Sequence, residues 1–187
     1  MDHYLDIRIR PDPEFSAPHL MSTLFAKLHR AFVVLQSTDI GVSFPDMDEK
    51  KPSLGTRLRL HASADRLQAI ADCSRLGGLE DHLQIARPVL APPDAHYRKV
   101  SRVQSDSSPE RLRRRLMRRH NLSEAETRLR IPDSAVKTLG LPFVTLRSQS
   151  SGHTFRLFIR HGVLQSTPEP GAFSCYGLSA AATIPWF

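Results

Sequence analysis

Histidine is the side chain whose ordinary pKa lies closest to neutral pH, which suits it to take or give a proton. This sequence has nine. His29 stands out by position, one step round from the apolar stripe Leu24, Leu28 and Phe32 of a predicted helix. There it reads either as a half-buried boundary residue or as a base directed into a cleft. His120 closes an arginine run, where a cation suits a helix C-terminus, and His153 falls in a predicted hairpin turn. Arginine is the second group with chemical meaning. Arg111, Arg113, Arg114, Arg115, Arg118 and Arg119 are six within nine positions. A planar guanidinium fork matches phosphate oxygens, so a one-signed run of this density points to nucleic-acid contact rather than to a solvated charged face. Charge alone does not choose RNA over DNA. RNA, however, carries its own nucleophile. Its 2′-hydroxyl can attack the adjacent phosphate once a base removes the proton, and that reaction needs no metal.

Other side chains could serve the same chemistry. Ser148, Ser150 and Ser151 cluster beside Arg147 and Gln149. They read as phosphate or ribose contacts, or as ordinary turn residues. Phe155 follows that turn as either a core residue or a stacking platform for a base. Arg102 and Gln104 lie two apart and so share one face of a strand. Arginine can pair with guanine and glutamine with adenine. No G-x-S-x-G elbow supports a serine hydrolase. The two cysteines, Cys73 and Cys175, are far apart, and no Cys/His cluster has zinc spacing. No metal and no cofactor is therefore expected.

The elements that must position these residues follow from periodicity. Leu5, Ile7 and Ile9 alternate with charged residues as a strand. An amphipathic helix is predicted over 17–36, then short strands at 41–44 and 57–62. A helix opened by Ser63 runs to about Cys73, and a fourth strand covers 83–89. The order β-α-β-β-α-β is the ferredoxin-like arrangement. Ala91-Pro-Pro-Asp94 reads as a linker, which divides the chain into 1–94 and 95–187. Beyond it come a strand over 97–104 and the arginine helix, which Ser107 and Glu110 are spaced to cap. At about 100° per residue, Arg111, Arg114, Arg115, Arg118 and Arg119 share one arc roughly 140° wide, with Leu112 and Leu116 beside it. A second capping box, Ser123 to Glu126, opens a shorter helix, and a third helix is predicted over 133–140. Phe143–Arg147 and Thr154–Arg160 form a hairpin, and a last strand is expected near 173–177. The fold class is thus α+β: an N-terminal ferredoxin-like domain followed by a C-terminal α+β domain whose arginine-rich helix suits nucleic acid.

Bulk composition agrees with that division. The chain has 187 residues and a formal net charge of +7. Residues 1–94 hold 11 Lys and Arg against 13 Asp and Glu, whereas residues 95–187 hold 15 against 6. A near-neutral scaffold joined to a basic part suits a polyanion partner. No signal peptide or membrane span is read from the sequence, so a cytoplasmic location and no membrane partner are expected.

At this point the residues resemble a known family, the CRISPR repeat-RNA endoribonucleases of the subtype I-F (Yersinia-type) system. The resemblance runs end to end. It is carried by Met1-Asp-His-Tyr-Leu-Asp-Ile-Arg8, Ile40-Gly-Val-Ser-Phe-Pro45, Tyr97-Arg-Lys-Val-Ser-Arg-Val-Gln104, Pro109 to His120, Leu141 to Ser150, Cys175-Tyr-Gly-Leu-Ser179 and Pro185-Trp-Phe187. It implies that the arginine helix enters the major groove of an RNA hairpin. Arg114, Arg115, Arg118, Arg119 and His120 then match the family's phosphate contacts. Arg102 and Gln104 match its base-reading pair, and Phe155 the aromatic beneath the terminal base pair. The resemblance makes His29 the general base and Ser148 the residue that positions the attacked ribose. Tyr176 falls near the active site, with Ser150 and Ser151 at a phosphate-binding turn. The partners it implies are the precursor repeat hairpin, the mature guide RNA and proteins of a CRISPR surveillance complex. A repeat-RNA binder without turnover is the alternative. In one place the chain departs. Gly177 is followed by Leu178-Ser-Ala-Ala-Ala-Thr183 without the second glycine of the wider superfamily's glycine-rich loop, and no site residue is assigned there.

Overall fold

A computed structural model describes every residue except 49, 73–75, 105–108, 133–138 and 150–151; at 109–111 it describes the backbone alone. The protein is mixed α and β. Residues Met1–Val103 and Leu141–Phe187 form one compact unit, and Gln104–Gly140 form a second. The hairpin and the C-terminal segment pack with the N-terminal elements in a single apolar core.

The central strand is β1 (His3–Ile9), whose alternation buries Leu5, Ile7 and Ile9. It pairs antiparallel with β3 (Arg57–Ala62), placing Leu5 opposite Leu60 and Ile7 opposite Leu58. β2 (Gly41–Ser43) continues the sheet beyond β3. On its other side β1 pairs with β4 (Leu83–Ile85) and β5 (Val89–Leu90), so the path runs β2-β3-β1-β4. The fourth strand expected at 83–89 is therefore two short strands. Pro88, which has no N–H to give a ladder, falls at the break.

Helix α1 (Ala17–Val34) buries Leu20, Met21 and Phe25 along with the predicted stripe Leu24, Leu28 and Phe32. Helix α2 (Ala64–Ala71) buries Leu67 and Ile70. Its leading Ser63 makes no side-chain capping bond, unlike the role read from the sequence. Burying six large apolar side chains on α1 contributes roughly 1.5–3 kcal/mol each, which fixes that helix against the sheet.

The opposite side of the sheet is polar. Arg59 is 4% exposed and donates from Nε and Nη2 to both oxygens of Asp6, its cross-strand partner, at 2.6 and 3.0 Å. Its guanidinium lies over the rings of Tyr4, at 4.4 Å, and Phe187, at 4.0 Å. A buried guanidinium costs heavily unless its donors are met, and here a carboxylate and the Phe187 carbonyl meet them.

The strand expected at 97–104 divides between two sheets. β6 (His96–Arg98) pairs with β10 (Ile184–Trp186), and β7 (Val100–Val103) pairs with β9 (Thr154–His161). β9 also pairs with β8 (Phe143–Arg147) in the expected hairpin, giving the order β7-β9-β8. The last strand lies at Ile184–Trp186, not near 173–177. Those residues instead form a turn, with Gly177 at φ +69°.

In the second unit, helix α3 (Pro109–His120) carries the arginine run and helix α4 (Glu124–Arg130) follows. Ser123 caps α4 as predicted: its Oγ accepts from the Glu126 N–H, and its own N–H donates to the Glu126 carboxylate. Arg114, Arg115, Arg118, Arg119 and His120 are exposed. Arg113, off that arc, is 7% exposed and donates from Nε to the Ile131 carbonyl at 2.8 Å. A cation there meets an acceptor at the C-terminal end of α4. Arg113 thus ties α3 to its neighbouring helix. Ser107 and most of the helix predicted over 133–140 lie outside the described residues.

Candidate active site

α1 presents His29 at the edge of its buried stripe, where the ring is half-buried. The ring Nδ1 lies 2.8 Å from the carbonyl oxygen of Cys175. A carbonyl only accepts, so Nδ1 is the donor, and a neutral ring in this position has its lone pair on Nε2. The Tyr176 ring stacks on His29 at 4.1 Å between centroids and 13° between planes. Phe25, one turn earlier on α1, lies parallel to Tyr176 at 6.2 Å. Burial raises the Tyr176 phenol above its ordinary pKa, so it stays protonated at neutral pH.

A single turn holds both contacts. The Gly177 N–H donates to Ser174, and the Ser174 N–H and hydroxyl both donate to the Leu178 carbonyl. The Gly177 carbonyl accepts from the Val42 N–H at 2.8 Å, which ties the turn to β2. Gly177 has positive φ, and a Cβ there would collide with the Val42 side chain and reach Phe32 at 3.2 Å. Glycine is required at this position by conformation and by close approach to the core.

The hairpin supplies the facing wall. Ser148 follows β8; its N–H donates to the His153 carbonyl, and its own carbonyl accepts from Gly152, each at 2.9 Å. Arg147 donates from Nε to the Gly152 carbonyl at 3.2 Å. The Thr145 N–H donates to Ser22 Oγ on α1, which fixes β8 against the helix. From β7, the Arg102 guanidinium lies 6.0 Å from the Phe155 ring centroid and 5.8 Å from that of Tyr176.

His29, Arg102, Ser148, Phe155 and Tyr176 line one cavity of about 700 Å³. The fold thus brings together residues from α1, β7, β9 and two turns that are far apart in sequence. Chemically, the cavity offers an acceptor nitrogen on a braced imidazole, a nearby hydroxyl, a cation and ring faces. Arg114, Arg115, Arg118, Arg119 and His120 belong to the other compact unit, where α3 exposes them. Gln104 is the first residue of that unit and lies past the end of β7. Ser150 and Ser151 lie outside the described residues.

Two other histidines are unsuited to the role of base. Burial pushes His61 down to about 3, with the Arg59 charge adding to the effect. His161 is pushed down to about 3 by burial and then by Arg98. Neither lines the cavity. Sequence reasoning missed the Cys175 carbonyl, because a backbone acceptor has no residue signature. It also passed over Arg30, Val33 and Val34, the last turn of α1, which line the same cavity. The helical period carries that signal, since these residues follow His29 on α1. Among the described residues, no three His, Cys, Asp or Glu side chains group as metal ligands, and no helix is long and apolar enough to cross a membrane.

Comparison with known proteins adds a family. Residues 4–187 match the model described as CRISPR-associated protein (Cas_Csy4). The chain is 63% identical over 187 residues to a CRISPR-associated endonuclease Cas6/Csy4 of Pseudomonas aeruginosa (strain UCBPP-PA14), covering 100% of both chains. It is 49% identical, again over the whole of both chains, to a CRISPR-associated endonuclease Cas6/Csy4 of Escherichia coli (strain UTI89 / UPEC).

Proposed function

The chain belongs to the Csy4 family of CRISPR-associated proteins, and on that premise we propose that it cuts precursor CRISPR RNA at the 3′ base of the repeat stem-loop. It is an endonuclease, as the relatives from Pseudomonas aeruginosa and Escherichia coli are. In this reading the 2′-hydroxyl of the nucleotide before the cut gives its proton to His29 Nε2. The freed oxygen attacks the adjacent phosphorus, the bond from phosphorus to O5′ breaks, and O5′ takes a proton from solvent water, to which His29 later releases the one it accepted. The products are a 2′,3′-cyclic phosphate and a 5′-hydroxyl. Ser148 positions the ribose, and Tyr176 holds the imidazole plane.

The observation that carries this reading is the Nδ1 contact to Cys175, which leaves the basic lone pair on the other ring nitrogen. The substrate supplies its own nucleophile, so the reaction has no need of a metal-bound hydroxide. Arg102, with Gln104, reads the base pair at the foot of the stem, and Phe155 stacks beneath it. Arg114, Arg115, Arg118, Arg119 and His120 contact phosphates of the stem, with Ser150 and Ser151 at a turn near the cut. The observed order β2-β3-β1-β4 with two helices supports a ferredoxin-like reading of the N-terminal part. The enzyme keeps the mature guide RNA and delivers it to a surveillance complex. The test is cleavage of repeat hairpin RNA in excess chelator, with the product ends identified by mass. Full cleavage to a cyclic phosphate is expected; strict dependence on added metal, or a 3′-hydroxyl product, overturns the mechanism.

A further inference from the structure

In-line attack concentrates charge on the non-bridging oxygens of the scissile phosphate. A neutral imidazole at His29 and a hydroxyl at Ser148 bring no positive charge to the start of that attack. Among the described residues lining the cavity, Arg30 is a cation suited to that task. Arg30 follows His29 directly on α1 and is exposed. It lines the 700 Å³ cavity together with His29 and Ser148. It also lines a second groove of about 690 Å³, which shares Ala26, Arg30, Leu146 and Arg147 with the first. Arg30 therefore stands on the wall where the two grooves adjoin.

Its surroundings leave the guanidinium uncommitted. No described residue lining either groove is an Asp or a Glu. No hydrogen bond or ion pair engages Arg30 among the described residues. The other arginines on these walls each have a contact of their own. Arg147 donates to the Gly152 carbonyl, and Arg102 lies over the Phe155 and Tyr176 rings. A lone exposed arginine is ordinary on a protein surface. One that faces a cavity free of carboxylates, beside the candidate base, keeps its donors available for an incoming phosphate oxygen.

We propose that Arg30 is a catalytic residue that donates to a non-bridging oxygen of the scissile phosphate and stabilises its transition-state charge. The inference rests on the endoribonuclease reading above. Removing one preorganised donor to a developing oxyanion costs about 10²–10³-fold in enclosed sites; Arg30 is solvated, so a loss of about 10- to 100-fold is expected.

The experiment measures single-turnover cleavage of the repeat hairpin by excess protein, alongside hairpin affinity, for wild type, Arg30→Ala and Arg30→Lys. Arg30→Ala should lose the rate stated while its affinity stays within about threefold, and Arg30→Lys should recover part of the loss. Sulfur in place of each non-bridging oxygen of the scissile phosphate in turn should slow wild type at one of the two positions, and that slowing should shrink in Arg30→Ala. An Arg30→Ala rate within about twofold of wild type overturns the proposal, as does a loss confined to affinity. An undiminished sulfur effect does the same. If wild-type protein itself leaves the hairpin uncut, the parent reading has failed instead, so the two failures are distinguishable.

Discussion

His29→Ala is expected to lower single-turnover cleavage of the repeat hairpin by about 10²–10⁴-fold, the range for loss of a general base. Hairpin affinity should change little. The site geometry argues for the separation. His29 is half-buried, stacked under Tyr176, and bonded through Nδ1 to a backbone carbonyl. Little of it remains to bind RNA except Nε2, and a general base at that atom acts when a proton moves. The loss should appear in the rate at saturating protein and not in the concentration needed to saturate. Gel analysis of bound and cut RNA on one sample reads both. If wild type and variant bind equally and neither cuts, the protein is a binder of repeat RNA and not its processing enzyme.

Arg115→Ala with Arg119→Ala is the second large effect, with the opposite signature. Both residues are exposed on α3, one helical turn apart, so they can follow successive phosphates along one strand. Losing two phosphate contacts should weaken hairpin binding by about 10²-fold or more at moderate salt. It should also lower the slope of log affinity against log salt by roughly two. RNA that does bind should be cut at close to the wild-type rate. Arg113→Ala makes a useful contrast. Its guanidinium is buried against the α4 terminus, so its removal acts on the packing of two helices and not on a phosphate. Filter binding over a salt series separates these cases. An unchanged salt slope in the double variant contradicts the role given to the arginine helix.

Much of this was legible from residue order. The i, i+4 run Leu20, Leu24, Leu28, Phe32 gives α1 and its buried face directly, and the alternation of Leu5, Ile7 and Ile9 gives the central strand. The Ser123 to Glu126 capping box is a local interaction, and it formed as spaced. What failed depended on distant partners. Tyr97 to Gln104 reads as one strand because its composition is uniform. It divides because Tyr97 pairs with Pro185 and Ser101 with Arg160, in different sheets. The segment near Phe173 is apolar enough for a strand. It becomes a turn because Gly177 must approach Val42 with positive φ.

The candidate site followed the same rule. His29 by position alone could have been an ordinary boundary residue, and its reading rested on resemblance. The fold adds the ring stack and the carbonyl that fix its tautomer. Neither could be found in the sequence, since they unite residues 29 and 175 only after α1 and the C-terminal turn pack against the same core.

The central claim is that the RNA itself supplies the nucleophile. A repeat hairpin with a single deoxyribose just upstream of the cut tests it most directly. This account predicts binding equal to that of the all-ribose hairpin and no cleavage at that position. Cleavage at the normal rate would contradict it.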